Sequence, residues 1–359
     1  MLTQPRSRNY SRSFWTQKVR SKSASPRTYK SLRTMTSSNY CANSITNPKV
    51  LCIFNPHAGQ AQFLQKHLPA AIDRWNRSGW QVNLAPTQFA GHATQIAQQA
   101  AEKGYNIAIA AGGDGTVNEV MNGLVNTQTA LGVLPIGTVN IWAREMGLPM
   151  DVLGAAQGLA TARVRTIDVG RAGDRYFLLM AGVGFDAAVT ETIKPHEKKR
   201  LGAIAYIKQA LHTGFQFRGV RTLLRIDGRR IRGRILMIVI GNSQLYGGVV
   251  KMTAHAVVDD GLLDVCVIKG RSMMVAPLRL FSIFTRNYNR DPKVEYYHAT
   301  RIEIQGKKHL PVQVDGDFIG RTPLRFEVVP GALQVLVPEK ADRSLFLSNS
   351  LGSPIQRFS

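Results

Sequence analysis

The stretch 107–119, Ile-Ala-Ile-Ala-Ala-Gly-Gly-Asp-Gly-Thr-Val-Asn-Glu, constrains this chain most: an apolar strand runs into a glycine-rich turn and then a helix. Gly112, Gly113 and Gly115 lack Cβ, so the backbone there can take positive φ and approach a phosphate. The amides that open the following helix point at such an anion. Asp114 would repel it unless a cation lay between them, which suggests a nucleotide phosphate bridged by Mg2+. A tight strand-to-helix turn with no ligand is the alternative. Two further apolar runs end in the same way. Residues 50–54 lead into Asn55, Pro56, His57, Ala58 and Gly59, and residues 131–136 lead into Gly137, Thr138 and Asn140. Alternating strands and helices build a parallel sheet, and turns at the carboxyl ends of its strands gather on one edge, where such sheets bind ligands.

With 359 residues, 44% of them hydrophobic, the chain is long enough for two domains, each with its own core. Up to about residue 147 the helical stripes are clear: Leu64, Leu68, Ala71, Ile72 and Trp75 share one face, and Ile96, Ala97, Ala100 and Ala101 another, both read as core. After about Asp151 the texture becomes β-rich. Strands are expected at 166–171 with 176–182, at 221–226 with 234–240 and from 302 to 337, with helical interruptions at 201–215 and 272–286. The expected fold class is therefore an α/β parallel-sheet nucleotide-binding domain at 49–147 followed by an antiparallel β-sandwich at 148–338. A basic leader at 1–48, expected to be disordered, and a weakly patterned tail at 339–359 complete the division. A transit-type leader and a translation start at Met35 are both compatible with residues 1–48.

These pieces resemble the soluble lipid kinases with a diacylglycerol-kinase catalytic domain, relatives of the sphingosine kinases. The matching segments are 55–59, 112–118, 134–140 with its Pro-x-Gly-Thr-x-Asn pattern, 182–186 (Gly-Val-Gly-Phe-Asp), 259–264 (Asp-Asp-Gly-Leu-Leu-Asp) and 314–317 (Val-Asp-Gly-Asp), in the family's order. The resemblance implies transfer of the γ-phosphoryl group of ATP to a lipid hydroxyl, diacylglycerol or a similar lipid alcohol, with Mg2+, in a cleft between two domains. It places ATP contacts on Asn55, Pro56, His57, Ala58, Gly59, Thr87, Gly112, Gly113, Asp114, Gly115, Thr116, Val117, Asn118, Glu119 and Thr138. It also places a structural Mg2+ on Asp260 with the backbone carbonyls of Val257 and Leu262, and a general base on Asp317, with Asp315 as competitor. The sequence departs from the family at Asp317, where a glutamate is usual, and at Ala58, where a serine is usual.

Phosphoryl transfer needs in-line positioning, charge neutralisation and a group to receive the acceptor's proton. Asp114, as organiser of the catalytic Mg2+, and Asp317, as base, are the catalytic candidates. Asp-Gly recurs as a turn signal: 227–228 reads as a hairpin turn, and 260–261 and 315–316 can be read the same way.

The formal net charge is +23. Residues 1–49 carry ten Lys or Arg and no acid, and residues 194–234 carry twelve against Glu197 and Asp227. An acidic membrane surface is the expected partner for the basic face, since each Lys or Arg near an anionic bilayer contributes about 1 kcal/mol. A specific nucleic-acid role is not expected, because no zinc-finger, RNP or helix-turn-helix pattern accompanies the charge. No run of 18 apolar residues occurs, so a peripheral, cytoplasmic protein is expected. Three scattered cysteines suit a reducing compartment. A homodimer is compatible with the sequence. Two rival readings stay open: an NAD kinase-like phosphotransferase, and a non-catalytic basic membrane- or nucleic-acid-binding relative of the fold.

Overall fold

A computed structural model describes residues 47–56, 61–192, 213, 217–247, 250–272, 291, 293–306 and 308–347. Expectations for His57, Ala58, Gly59, the leader 1–46, the helices at 201–215 and 272–286 and the tail beyond 347 lie wholly or almost wholly outside those residues.

The first layer is built from strands β1 (Lys49–Phe54), β2 (Gln81–Pro86), β3 (Ile107–Gly112) and β4 (Ala130–Pro135). All pair in parallel, in the order β2-β1-β3-β4. Every residue of β3 and β4 is buried, as parallel strands covered by helices on both faces must be. Helix α1 (Ala61–Arg77) lays Leu68, Ala71 and Trp75 on the core, as the stripe predicts. Helix α2 (His92–Glu102) buries Ala93, Ala97 and Ala100 against α3 (Asp114–Leu124). Those two helices approach so closely that a Cβ at Gly123 would sit 2.4 Å from the Thr94 carbonyl oxygen.

Helices α4 (Ile141–Glu145) and α5 (Val152–Ala160) follow. The second of these is anchored by the Trp75 indole, whose Nε1 donates to the Ala156 carbonyl at 3.0 Å, so it packs on α1. The chain past Asp151 thus stays with the α/β layer for one more helix before the antiparallel strands begin.

Those strands are β5 (Arg163–Ala172), β6 (Arg175–Phe177), β7 (Met180–Gly184), β8 (Val220–Ile226), β9 (Arg229–Gly241), the short pair β10 (Leu245–Tyr246) and β11 (Val250–Lys251), β12 (Leu263–Lys269), β13 (Val294–Ala299), β14 (Arg301–Gly306), β15 (Pro311–Val314), β16 (Asp317–Arg321) and β17 (Leu324–Val337), with helix α6 (Phe185–Thr192) after β7. The β8–β9 hairpin closes on Asp227 and Gly228, both at positive φ, as the Asp-Gly signal predicts. The expected 166–171 with 176–182 pairing is only partly realised. β5 pairs with β6, whereas Met180–Gly184 forms the separate strand β7 between β9 and β15.

Strand β17 joins the two layers: its start is antiparallel to β14, its whole length runs along β5, and Val335 meets Leu131 of β4 in parallel. The alternation of β9 and β12 sends Ile238, Ile240, Val265 and Val267 into the interior of the sandwich, and Met237, Val239, Cys266 and Ile268 into the core shared with the α/β layer. Cys52 and Cys266 are free and buried, and burial pushes both thiols up to about 12.

Candidate active site

The register of the parallel strands aligns three turns. Phe54 lies opposite both Pro86 and Ala111, and Gly112 lies opposite Pro135. Asn55 and Pro56, Thr87, and the glycine turn at 112–113 therefore leave the sheet at one edge, and the Thr87 amide donates to the Phe54 carbonyl at 2.8 Å. The second and third glycine turns touch. The Ile136 amide donates to the Gly112 carbonyl at 3.1 Å, and a Cβ at Gly137 would fall 2.5 Å from the Gly113 Cα. Neither glycine has a positive φ, so close approach of the two backbones is what excludes a side chain there.

Asn140 holds the third turn. It sits at φ 52°, its Oδ1 accepts from the Gly137 amide at 2.8 Å and its Nδ2 donates to the Gly137 carbonyl at 2.7 Å. Asp114, the first residue of α3, accepts from the Ile141 amide at 2.7 Å through Oδ1, so one oxygen ties the second turn to the start of α4. Burial raises its pKa, and the amides around Ile141 oppose that rise. Gly115 and Thr138 are exposed at this edge, while Thr116 packs under Gly112 and Val117 is buried. Glu119 faces elsewhere: its Oε2 accepts from the Ala93 amide at 3.2 Å and its carbonyl from the Thr94 hydroxyl at 2.8 Å, fixing α2 on α3.

One turn up α3 from Asp114, the buried Asn118 reaches into the sandwich. Its Nδ2 donates to Asp315 Oδ2 at 2.8 Å, and its Oδ1 accepts from Asn122 at 3.1 Å and from Arg175 at 3.2 Å. Asp315 also accepts from the amides of Leu178 at 2.8 Å, Leu179 at 2.9 Å and Met180 at 2.9 Å. Burial still pushes its pKa up to about 6 against those donors. Asp315 and Gly316 are both at positive φ and turn β15 into β16, so Asp317 opens β16 beside the α3 contact, partly exposed, followed by Phe318, 40% exposed.

Beneath that hairpin lies a buried polar chain. The Gly316 amide donates to Gln313 Oε1 at 2.7 Å, Gln313 Nε2 donates to Asp186 Oδ2 at 2.7 Å, and the Tyr246 hydroxyl donates to Asp186 Oδ1. A Cβ at Gly182 would lie 2.0 Å from Asp186, which explains the glycine at the start of the Gly-Val-Gly-Phe-Asp segment.

The expected structural metal residues lie elsewhere, in the loop before β12. Residues 254–258 do not pair with β12, so the simple hairpin reading of 260–261 is not realised: β12 pairs with β9 and β13. Asp260 Oδ1 accepts from the Leu262 amide at 2.9 Å. Burial, then the neighbouring charges of Asp264 and Asp168, push its carboxyl up to about 6. Asp168, which sequence reasoning did not single out, accepts from the Gly261 amide at 2.6 Å and the Gly331 amide at 2.7 Å. Among the described residues no three His, Cys, Asp or Glu side chains gather closely enough to hold a metal ion.

The same two-layer plan is found in known proteins. The model of the diacylglycerol kinase catalytic domain matches residues 49–172, and that of the YegS C-terminal NAD kinase beta sandwich-like domain matches 180–337. A diacylglycerol kinase of Bacillus subtilis (strain 168) is 30% identical over 296 residues, covering 81% of this chain and 97% of the relative. The chain belongs to the diacylglycerol kinase catalytic-domain family. That family of lipid kinases makes it a phosphotransferase with an alcohol group as acceptor. A diacylglycerol kinase of Staphylococcus aureus (strain MRSA252) is 29% identical over 300 residues, 83% of this chain and 95% of that one. Among solved structures, a diacylglycerol kinase from Bacillus anthracis str. Sterne superposes with a TM-score of 0.67 at 27% identity, covering 82% of this chain and 98% of the other. A second chain from that organism gives 0.71 at 26% identity, covering 86% and 100%. Among the described residues no helix is long and apolar enough to cross a membrane.

Proposed function

We propose that this kinase transfers the γ-phosphoryl group of ATP, with Mg2+, to the hydroxyl of a membrane lipid, diacylglycerol or a similar lipid alcohol. The observation that carries the reading is the bond between Asn118 and Asp315, which draws the Asp317 hairpin of the sandwich to the helix that opens from the glycine turn. In this reading the phosphate loops and a carboxylate from the other layer face one space, as a kinase cleft requires.

In this proposal the amides of the turns after β1, β3 and β4 hold the ATP phosphates, with Asn55, Pro56, Thr87, Gly112, Gly113, Gly115, Thr116 and Thr138 around them. Asp114 offers its second oxygen toward the catalytic Mg2+, which when bound neutralises phosphate charge. Asp317 receives the acceptor's proton. Asp315 is the poorer base, since four donors already occupy its two oxygens. Phe318, exposed beside Asp317 on an edge strand, supports an acyl-chain neighbour.

A second Mg2+ belongs to the same proposal. Asp260 with the Val257 and Leu262 carbonyls is an all-oxygen donor set of the kind Mg2+ prefers. Asp260 feels the charges of Asp264 and Asp168, and a cation bound at Asp260 would relieve that repulsion. Peripheral attachment to an acidic membrane surface, on the cytoplasmic side, completes the reading.

The test is transfer of labelled γ-phosphate to a panel of lipids in mixed micelles with Mg2+, with NAD as a separate acceptor. A labelled lipid from wild type is expected. Labelled NAD with no lipid product would replace this reading with the NAD-kinase one, to which the description of the sandwich domain lends support.

A further inference from the structure

The sandwich carries an open groove of about 750 Å3 lined by Arg221, Arg232, Arg234 and Arg271. Its position follows from the strand register. Arg221 and Arg234 are directly opposite on β8 and β9, and the Gly270 amide donates to the Arg234 carbonyl at 2.9 Å, which brings Arg271 alongside. Two like charges directly across an antiparallel pair oppose folding unless an anion serves both. Among the described residues no carboxylate lines the groove. Other arginines nearby are matched differently: Arg225, further along β8, and Arg325 pair with Glu303, and Arg301 with Glu327. Among the described residues Arg221, Arg232 and Arg271 have no such carboxylate.

Gly233 and Gly306 also line the groove. A Cβ at Gly306 would meet the Lys308 carbonyl at 3.2 Å, and one at Gly233 the Lys269 methylenes at 3.4 Å. The groove is distinct from the cleft. Along β9, Arg234 is seven residues from Gly241, whose partner Met180 donates its amide to Asp315, a separation of about 23 Å at roughly 3.3 Å per residue.

We propose that this groove binds the phosphate of a lipid phosphomonoester at the bilayer surface. The inference rests on the lipid-kinase reading above, because phosphorylating a lipid alcohol makes that class of compound in the membrane where the enzyme works. Charge selects it. A phosphomonoester carries about −1.5 to −2 at neutral pH, against −1 for a phosphodiester headgroup, and its three terminal oxygens suit several guanidinium forks at once. The consequence is retention of the enzyme where its product accumulates, through a site that takes no part in the transfer.

The experiment is co-sedimentation of the full chain, without ATP, on three kinds of vesicle: phosphatidylcholine alone, phosphatidylcholine with phosphatidate, and phosphatidylcholine with enough phosphatidylglycerol to match the surface charge. Wild type is expected to bind the phosphatidate vesicles at least about five-fold tighter than the charge-matched ones, the effect of one well-placed arginine. The double variant Arg232→Gln, Arg271→Gln is expected to lose that preference. The control Arg229→Gln, Arg230→Gln removes the same charge outside the groove, from the hairpin that carries Arg232, and is expected to keep it. Equal binding to both anionic vesicles, an unaffected groove variant, or an equal loss in the control would overturn the proposal, as would arginine-dependent binding to DNA without any vesicle preference. Transfer to diacylglycerol in detergent micelles is measured on the same proteins. A phosphatidate preference without transfer would sink the kinase reading and leave the groove, whereas transfer without preference would sink the groove alone.

Discussion

Asp315 and Asp317 are two positions apart, yet the first is wrapped by three backbone amides and an asparagine while the second opens a partly exposed edge strand. Removing the Asp315 carboxylate strands those donors, and each unsatisfied buried group costs about 1–3 kcal/mol. Asp315→Ala is therefore expected to lower the melting temperature by well over 5 °C in calorimetry, whereas Asp317→Asn should melt like wild type. Asp315 also makes a signed pH prediction. Its carboxyl is raised from 3.8 to about 6, so the folded state holds its proton more tightly than the unfolded one. Its contribution to stability should fall as pH rises from about 4 to about 6, by at most about 3 kcal/mol, given roughly 1.4 kcal/mol per pKa unit. Subtracting the melting curve of Asp315→Asn over that window isolates it; a contribution that grew with pH would mean the four donors outweigh burial. The Asp-Gly-Asp hairpin was legible in the sequence. Its clamp was not, because Asn118 lies 197 positions away and the three amides 135 to 137.

The elements that read most clearly were the strand–turn–helix units, because strand run, glycine and helix stripe are all local signals. What escaped was how the turns meet. The Gly113–Gly137 contact is a product of β3–β4 register, invisible in either motif alone. Gly137→Ala forces backbone against backbone and is expected to raise the KM for ATP at least ten-fold with little change in the KM for lipid; steady-state kinetics in both substrates would show it. An unchanged ATP KM would detach these loops from the nucleotide. Helix α5 was also hidden, since Val152–Ala160 is apolar around most of its circumference and contains Gly154 and Gly158. Its Asp151 cap, accepting from Gly154, is a local signal that could have revealed it. The 260–261 turn misled in the other direction: Asp-Gly looks like a hairpin, but Val258 bonds to Leu345 and Asp168 rather than to β12.

Across the whole molecule, three segments far apart in sequence are drawn together by Asp168, which holds the Gly261 and Gly331 amides while Asn242 donates to its carbonyl at 3.0 Å. If Mg2+ sits at Asp260 beside it, chelation should lower the melting temperature of wild type by a few degrees, and Asp260→Asn should abolish the difference; a wild-type melt indifferent to chelator would remove the metal from that site. The two-layer architecture was legible because the periodicity of the chain changes from helix-interrupted runs to successive short strands. The suture by β17 was not, for a single 14-residue strand gives no local sign that its ends serve different layers of one continuous sheet. The most direct test of the kinase cleft is labelled γ-phosphate transfer to diacylglycerol by wild type, Asp114→Asn and Asp317→Asn at saturating Mg2+ and ATP, each checked for an unchanged melt. Loss of about 10²- to 10⁴-fold in kcat is expected for Asp317→Asn and a larger loss for Asp114→Asn; near-normal turnover in either folded variant would contradict its assigned role.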